Sequence, residues 1–306
     1  MSATGVLLTG ATGFIGGHVI RRLRARGATV WAVARDVDTA RDKLGMDVRV
    51  VASPGEIPPD ARIDAIVNLA GAPAIGPPWT RARRRVLIDS RVKTTESLLA
   101  WCAARGRRPA VIVSASAIGF YGPGEDEWFD EASPPRPATF QSQLCLQREA
   151  AADAAATLGM RVVNLRIGLV LGADGGILAP LSLAAKCGVA ARIGAGSQWM
   201  SWIHVDDLMR VIELALNDAS LSGPVNAVAP TPERQRDFQR ALTQVLRRPF
   251  WMWVPGGLLR ATLGEMAELL VKGQRVTPRR LLERRFAFRY ALLEDALTDI
   301  FRRERS

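Results

Sequence analysis

Leu8-Thr9-Gly10-Ala11-Thr12-Gly13-Phe14-Ile15-Gly16 decides the fold of this chain. Just ahead of it, Val6, Leu7 and Leu8 form a short apolar run of the kind a buried strand presents. Just after it, Ile15, Val19, Ile20 and Leu23 recur at helical spacing, and Gly27 offers a stop. Strand, glycine turn and helix together are the setting in which a helix N-terminus meets phosphate groups. Its unpaired N–H groups and the positive end of its dipole both point at the anion. Gly10 permits the tight turn, Gly13 removes a Cβ where a pyrophosphate must approach, and Gly16 lets the helix close on the strand. The expected contacts to a dinucleotide are therefore Gly10, Thr12, Gly13, Phe14 and Ile15.

A chain of 306 residues is one large α/β domain or two modules, and 48% hydrophobic with 23% charged residues excludes a disordered class. The first strand and the glycine loop occupy the place of a signal-peptide core, so none is expected. Pro180, Lys186 and Arg192 interrupt the weakly polar stretch 176–196, so no transmembrane helix or membrane partner is expected either. Cys102, Cys145 and Cys187 are widely spaced and odd in number, which fits a reducing cytoplasm and offers neither a disulfide framework nor metal-ligand spacing. His18 and His204 are the only histidines, so no metal is expected. The net charge of +11 comes mainly from arginine, clustered at Arg81–Arg85, Arg105–Arg108 and Arg275–Arg289. No nucleic-acid motif accompanies these clusters and aromatics are not interleaved with them, so the expectation is a solvated basic surface rather than a nucleic-acid partner.

The first half alternates strand and helix signals. Strands are expected at 30–34, 48–52, 63–70, 110–114 and 161–165, with one long helix at 80–105 and an alanine-rich helix at 140–158 ending at Gly159. The strands are continuously apolar, as in a parallel sheet covered on both faces. The expected fold is α/β, a Rossmann-type doubly wound parallel sheet with a smaller, mostly helical C-terminal region. A core of 1–230 carries a substrate-side insertion near 176–202, and 231–306 forms a helical domain over the cleft.

Ligands of such sheets lie beyond the carboxyl ends of the strands. Arg35 follows the second strand, where an acidic residue would hold the ribose hydroxyls of NAD. An arginine there pairs instead with the 2′-phosphate of NADP, so NADP(H) is the expected cofactor. Asn68-Leu69-Ala70-Gly71 ends the fourth strand with small residues, and Leu69, Ala70 and Gly71 are expected against the cofactor. Ser114-Ala115-Ser116-Ala117-Ile118-Gly119-Phe120-Tyr121-Gly122 ends the fifth. A serine hydroxyl there can hold a substrate oxygen. Ser116 is the first candidate; Ser114 is second and is placed with the cofactor contacts. His204 is expected to order the chain before the next helix, with Asp206 or Asp207 as its N-cap.

The GxxGxxG spacing, the Asn-x-Ala-Gly segment and the serine-rich fifth strand resemble the extended short-chain dehydrogenase/reductases. Seven segments tighten the resemblance: TGATGFIGGHVIRRL (9–23), VNLAGAP (67–73), SRVKTTESLL (90–99), SASAIGFYG (114–122), LRIGLVLGADGGIL (165–178), WMSWIHVDDL (199–208) and GQRVTPRRLLERRFAFRY (273–290). Together they resemble an atypical group of that superfamily, the epimerase family proteins, whose C-terminal domain has no assigned function. The resemblance implies NADP(H) binding and adds Arg91 to the cofactor contacts. Reductases of the superfamily place Tyr-x-x-x-Lys on the next helix, where lysine lowers the tyrosine pKa for proton exchange. This chain has neither between Gly122 and Lys186; Gln141/Cys145 and Phe140/Leu144 stand at that spacing. Tyr121 is left as the candidate acid. Arg285 stands where the group tends to have glycine, in a position that favours φ > 0. The resemblance implies an oxidoreductase or epimerase acting on an unnamed small-molecule substrate, as a monomer or as a homodimer through 80–105 and 140–158. The alternative is a non-catalytic NADPH-sensing module.

Overall fold

The computed structural model describes residues 5–303. Seven strands form one parallel sheet: β1 (Gly5–Thr9), β2 (Thr29–Val33), β3 (Arg49–Val51), β4 (Ala65–Asn68), β5 (Val111–Ala117), β6 (Arg161–Ile167) and β7 (Gly223–Ala227). Their spatial order is β3-β2-β1-β4-β5-β6-β7, the doubly wound arrangement that reverses direction between β1 and β4. Register places Leu8 beside Ala32 and Val67, and Ser116 beside Arg166.

Side chains alternate across the sheet and fill two separate cores. Val6 and Leu8 point to the face covered by α1 (Phe14–Arg24), α2 (Val37–Leu44) and α7 (Val205–Asn217). Leu7 points to the face where Leu98, Leu99 and Cys102 pack. The expected single helix at 80–105 is two: α3 (Arg81–Asp89) and α4 (Val92–Ala103). The break falls at Ser90–Arg91. Arg91 is the N-cap of α4, at φ −114° and ψ −58°, and its side chain donates to the carbonyls of Leu87 and Ala72. These side-chain hydrogen bonds tie the junction of the two helices to the segment that follows β4. The predicted helix at 140–158 is α5 (Phe140–Asp153), which tightens into a 3₁₀ turn and stops at Gly159, φ 76°.

Beyond β6, α6 (Leu178–Lys186) precedes α7, and the helical C-terminal region carries α8 (Gln235–Val245), α9 (Gly256–Leu263), α10 (Glu268–Val271), α11 (Arg279–Glu283) and α12 (Leu293–Arg303). Faces of α6, α8 and α12 bury Leu178, Phe238, Leu242, Leu297 and Ile300 around Trp202. Segments on either side of position 230 interleave: Ala191–Ile193 pairs with Met252–Val254, and Trp199–Met200 with Glu233–Arg234. The N-cap of α7 is His204 itself, whose Nδ1 accepts from the Asp206 N–H at 3.0 Å; neither Asp206 nor Asp207 fills that role. Asp207 instead accepts from the backbone N–H groups of Arg289 and Tyr290, pinning the C-terminal segment to α7. Arg285 does take the left-handed conformation, at φ 53°.

Candidate functional site

The carboxyl ends of β1, β4, β5 and β6 open into a cavity of about 440 Å³. Its first wall is the glycine turn. Gly10 adopts φ 70°, and a Cβ there would lie 2.6 Å from the Leu69 carbonyl oxygen. At Gly16 a Cβ would come within 2.2 Å of the Gly10 carbonyl, so only glycine lets α1 sit this close to the turn. Gly13 differs. Its backbone is extended (φ −76°), and a Cβ would meet only the Gly10 oxygen, at 3.2 Å. The space in front of Gly13 is open, and α1 begins there with no side-chain cap on its N–H groups. That is the arrangement an anion fits. Phe14 is clasped by the turn at 172–176, where a Cβ on Gly175 would lie 2.7 Å from its ring.

The second wall is the end of β4 with Arg91. The Thr9 hydroxyl donates to Asn68 Oδ1 (2.8 Å), and Asn68 Nδ2 donates to the Thr95 hydroxyl (2.8 Å). The Thr95 hydroxyl in turn donates to the Arg91 carbonyl (2.7 Å). The strand end and the helix break are thereby locked together. The Arg91 guanidinium packs on Gly71, where a Cβ would come within 2.9 Å of Cζ. Burial holds its pKa below the ordinary value.

Of the sequence-predicted residues, Gly10, Gly13, Phe14, Ile15, Leu69, Gly71, Arg91 and Ser116 line the cavity. Thr12, Ala70 and Ser114 do not. The Thr12 carbonyl accepts from Lys43 Nζ at 2.7 Å, and the Ala70 N–H is spent on the Thr9 hydroxyl. Ser114 is fully buried beside Asn68. Arg35 is exposed at the end of β2, outside the cavity wall, whereas Asp36 beside it is committed to capping α2 through the Thr39 N–H. Among the described residues, none after Ile177 lines this cavity. Glu265 pairs with Arg84 and accepts from the Phe140 N–H at the start of α5.

Tyr121 requires a correction. It has no exposure, and its ring stacks on Phe129. Its hydroxyl donates to Asn226 Oδ1 (2.7 Å) and accepts from Arg166 Nη1 (3.0 Å). Burial pushes its pKa up to about 12. A phenol walled off from the cavity and spent on both sides is a structural strut, not a proton donor to a ligand. Ser116 is also engaged: its hydroxyl donates to Glu149 Oε1 at 2.7 Å. Arg166 grips the same carboxylate through Nε (3.0 Å) and Nη2 (2.9 Å), and its guanidinium lies 3.4 Å from the Phe120 ring centre. Burial works against the Arg166 charge, but the Glu149 hydrogen bonds and charge win, and its pKa is raised. Ser116 is therefore held in one rotamer by a buried ion pair.

Sequence reading missed Arg148. Gln141, Cys145 and Arg148 are spaced i, i+4, i+7 on α5, and all three line the cavity. The positions where the superfamily keeps tyrosine and lysine thus face the site as Gln141 and Cys145. Burial first, and the Glu149 charge second, push the Cys145 thiol up to about 11, so it stays protonated at neutral pH. Among the described residues, no cluster of three metal-ligating side chains occurs, and no helix is long and apolar enough to cross a membrane.

Residues 6–227 match the family model of the NAD dependent epimerase/dehydratase family, and 254–300 match a domain of unknown function, DUF1731. The epimerase family protein SERP0438 of Staphylococcus epidermidis is 34% identical over 97% of this chain and 98% of its own length. The crystal structure of human epimerase family protein SDR39U1 with NADPH is 30% identical, covers 97% of this chain and 98% of that chain, and superposes with a TM-score of 0.86. UDP-glucose 4-epimerase of Thermotoga maritima shares the fold, with a TM-score of 0.80 at 18% identity over 99% of this chain and 100% of that one.

Proposed function

The chain belongs to the NAD dependent epimerase/dehydratase family, and from that premise we propose that it binds NADP(H) and uses it in an oxidoreductase or epimerase reaction on a small molecule. The observation that carries this reading is the open space before Gly13, set against the uncapped N-terminus of α1 at the doubly wound switch point. When bound, the nicotinamide would supply or accept a hydride. The chain's own contribution is positional. The α1 N-terminus receives the pyrophosphate, and Arg35 pairs with the 2′-phosphate, while the neighbouring Asp36 carboxylate is turned to the start of α2 by Thr39. Ser116, fixed by Glu149 and Arg166, presents its oxygen to the substrate from the wall of β5. With no Tyr-x-x-x-Lys pair, proton transfer falls to the substrate or to water. NADPH bound to a relative that is 30% identical along nearly its whole length supports the same cofactor here. The free, buried thiols of Cys102 and Cys145 fit a reducing compartment, which we take to be the cytoplasm.

Competitive titration tests the cofactor assignment. Replacing Arg35→Glu should weaken NADPH binding by about tenfold or more, the loss of a charge-assisted contact plus a like charge, and leave NADH binding no weaker. A variant that keeps the wild-type preference for NADPH would remove Arg35 from the site.

A further inference from the structure

Arg148 and Arg91 share the cavity wall, and neither is ion-paired among the described residues. Arg148 is 7% exposed, its Nη2 donates to the Asn68 carbonyl at 3.1 Å, and its buried Nε has no partner at all. Arg91 donates Nη1 to the Leu87 carbonyl and Nη2 to the Ala72 carbonyl, each at 3.0 Å. Carbonyls satisfy donors but do not cancel charge. Glu149, the carboxylate whose charge acts on Arg148, is committed to Arg166 and Ser116. Two guanidiniums are therefore held in one cavity wall, partly stripped of water, with no ion-pair partner among the described residues. Burial first, and the charge of Arg91 second, hold the Arg148 pKa down to about 9, so it is still charged at neutral pH. Such an arrangement opposes folding unless an anion completes it.

The sheet order separates this wall from the phosphate seat. The α1 N-terminus stands at the end of β1, whereas Arg148 is tied to the end of β4 and shares its wall with Ser116 of β5. Adjacent strands lie about 4.8 Å apart, so the Arg148 wall is offset from the α1 N-terminus across the sheet, toward Ser116. We propose that the substrate is an organic anion whose carboxylate or phosphate group docks on Arg148, with Arg91 beside it. This deepens the reading of the cavity as an NADP(H)-dependent site and rests on it for the word substrate. The same oxyanion chemistry could come from the cofactor's own pyrophosphate, and the test separates the two sources.

The test titrates the full chain with inorganic phosphate and with malonate, at constant ionic strength, in the absence and presence of saturating NADP⁺, followed by calorimetry and by thermal melting. The expected result is that phosphate or malonate binds the NADP⁺-saturated wild type and raises its melting temperature. Arg148→Met should weaken that binding by about tenfold or more, with NADP⁺ affinity changed by less than about twofold. Arg148→Lys, which keeps the charge, should retain part of the anion binding. Arg148→Met removes an unpaired buried charge, so without anion its melting temperature should equal or exceed that of wild type; a variant that melts far lower would make Arg148 a structural group and overturn the proposal. Phosphate that competes with NADP⁺, with Arg148→Met weakening NADP⁺ instead, would assign the pair to the cofactor and also overturn it. Equal anion binding by wild type and Arg148→Met would do the same. If NADP⁺ gives no heat while phosphate still binds in an Arg148-dependent manner, the cofactor reading falls and the anion site stands.

Discussion

Replacing Glu149→Gln is the perturbation whose size follows most directly from the structure. The side chains of Glu149 and Arg166 are 8% and 5% exposed, and the carboxylate accepts from Arg166 through both Nε and Nη2 and from the Ser116 hydroxyl. Glutamine keeps the shape and removes the charge, leaving a buried guanidinium with neutral side-chain acceptors only, the glutamine Oε1 and the Tyr121 hydroxyl. Breaking a buried pair by removing one partner costs about 3–5 kcal/mol, because the surviving charge stays desolvated. In urea unfolding followed by tryptophan fluorescence, that cost appears as a lowered midpoint. By melting, each kcal/mol is worth roughly 2–4 °C in a chain of this size class, so a loss of about 6 °C or more is expected. The companion Glu149→Gln/Arg166→Met removes the stranded charge and should recover a substantial part of the loss, giving a coupling of about 1–3 kcal/mol in the double-mutant cycle. A single variant within about 1 kcal/mol of wild type, or a cycle with no coupling, would refute the claim that a dry ion pair fixes Ser116.

His204 and Arg285 give two further tests. Burial lowers the His204 pKa from its ordinary 6.5, and Nδ1 must stay unprotonated to accept from the Asp206 N–H. The unfolded chain therefore takes the proton first as pH falls. Stability should be fully present above pH 6.5 and decline below it by up to about 1.4 kcal/mol per pH unit, a slope that His204→Asn should flatten in pH-dependent unfolding. Arg285→Gly should raise stability by about 1 kcal/mol, since glycine occupies the exposed φ 53° conformation without the Cβ penalty; a destabilised variant would show that the arginine side chain matters more than its backbone.

The sequence made the first strand, glycine turn and helix legible because each carries its own local signal: an apolar run, an obligatory small residue, a 3.6-residue periodicity. Strand ends followed, and with them Leu69, Gly71 and Ser116 in the wall. What was not legible depends on partners distant in sequence. At the junction of α3 and α4, Arg91 reaches Ala72, 19 positions away in sequence. Tyr121 looks available beside Gly122, yet Asn226 and Phe129 enclose it. Ser116 reads as free, yet Glu149, 33 positions away, holds its hydroxyl. Arg148 lay within reach of a spacing argument, since it continues the Gln141/Cys145 face, but the carbonyl of Asn68 that orients it lies 80 positions away in sequence.

The central claim is that the start of α1 is a seat for the phosphates of NADP(H). Calorimetric titration of NADPH into wild type and Gly13→Ser tests it most directly. Serine suits the extended N-cap backbone at Gly13, and its Cβ meets only the Gly10 oxygen, so the fold should hold or gain slightly. The account predicts saturable one-to-one binding to wild type and a loss of at least about a hundredfold in the variant at unchanged melting temperature, because the Cβ occupies the approach path of the pyrophosphate. Equal NADPH affinity in both proteins, or no heat with wild type, would contradict it.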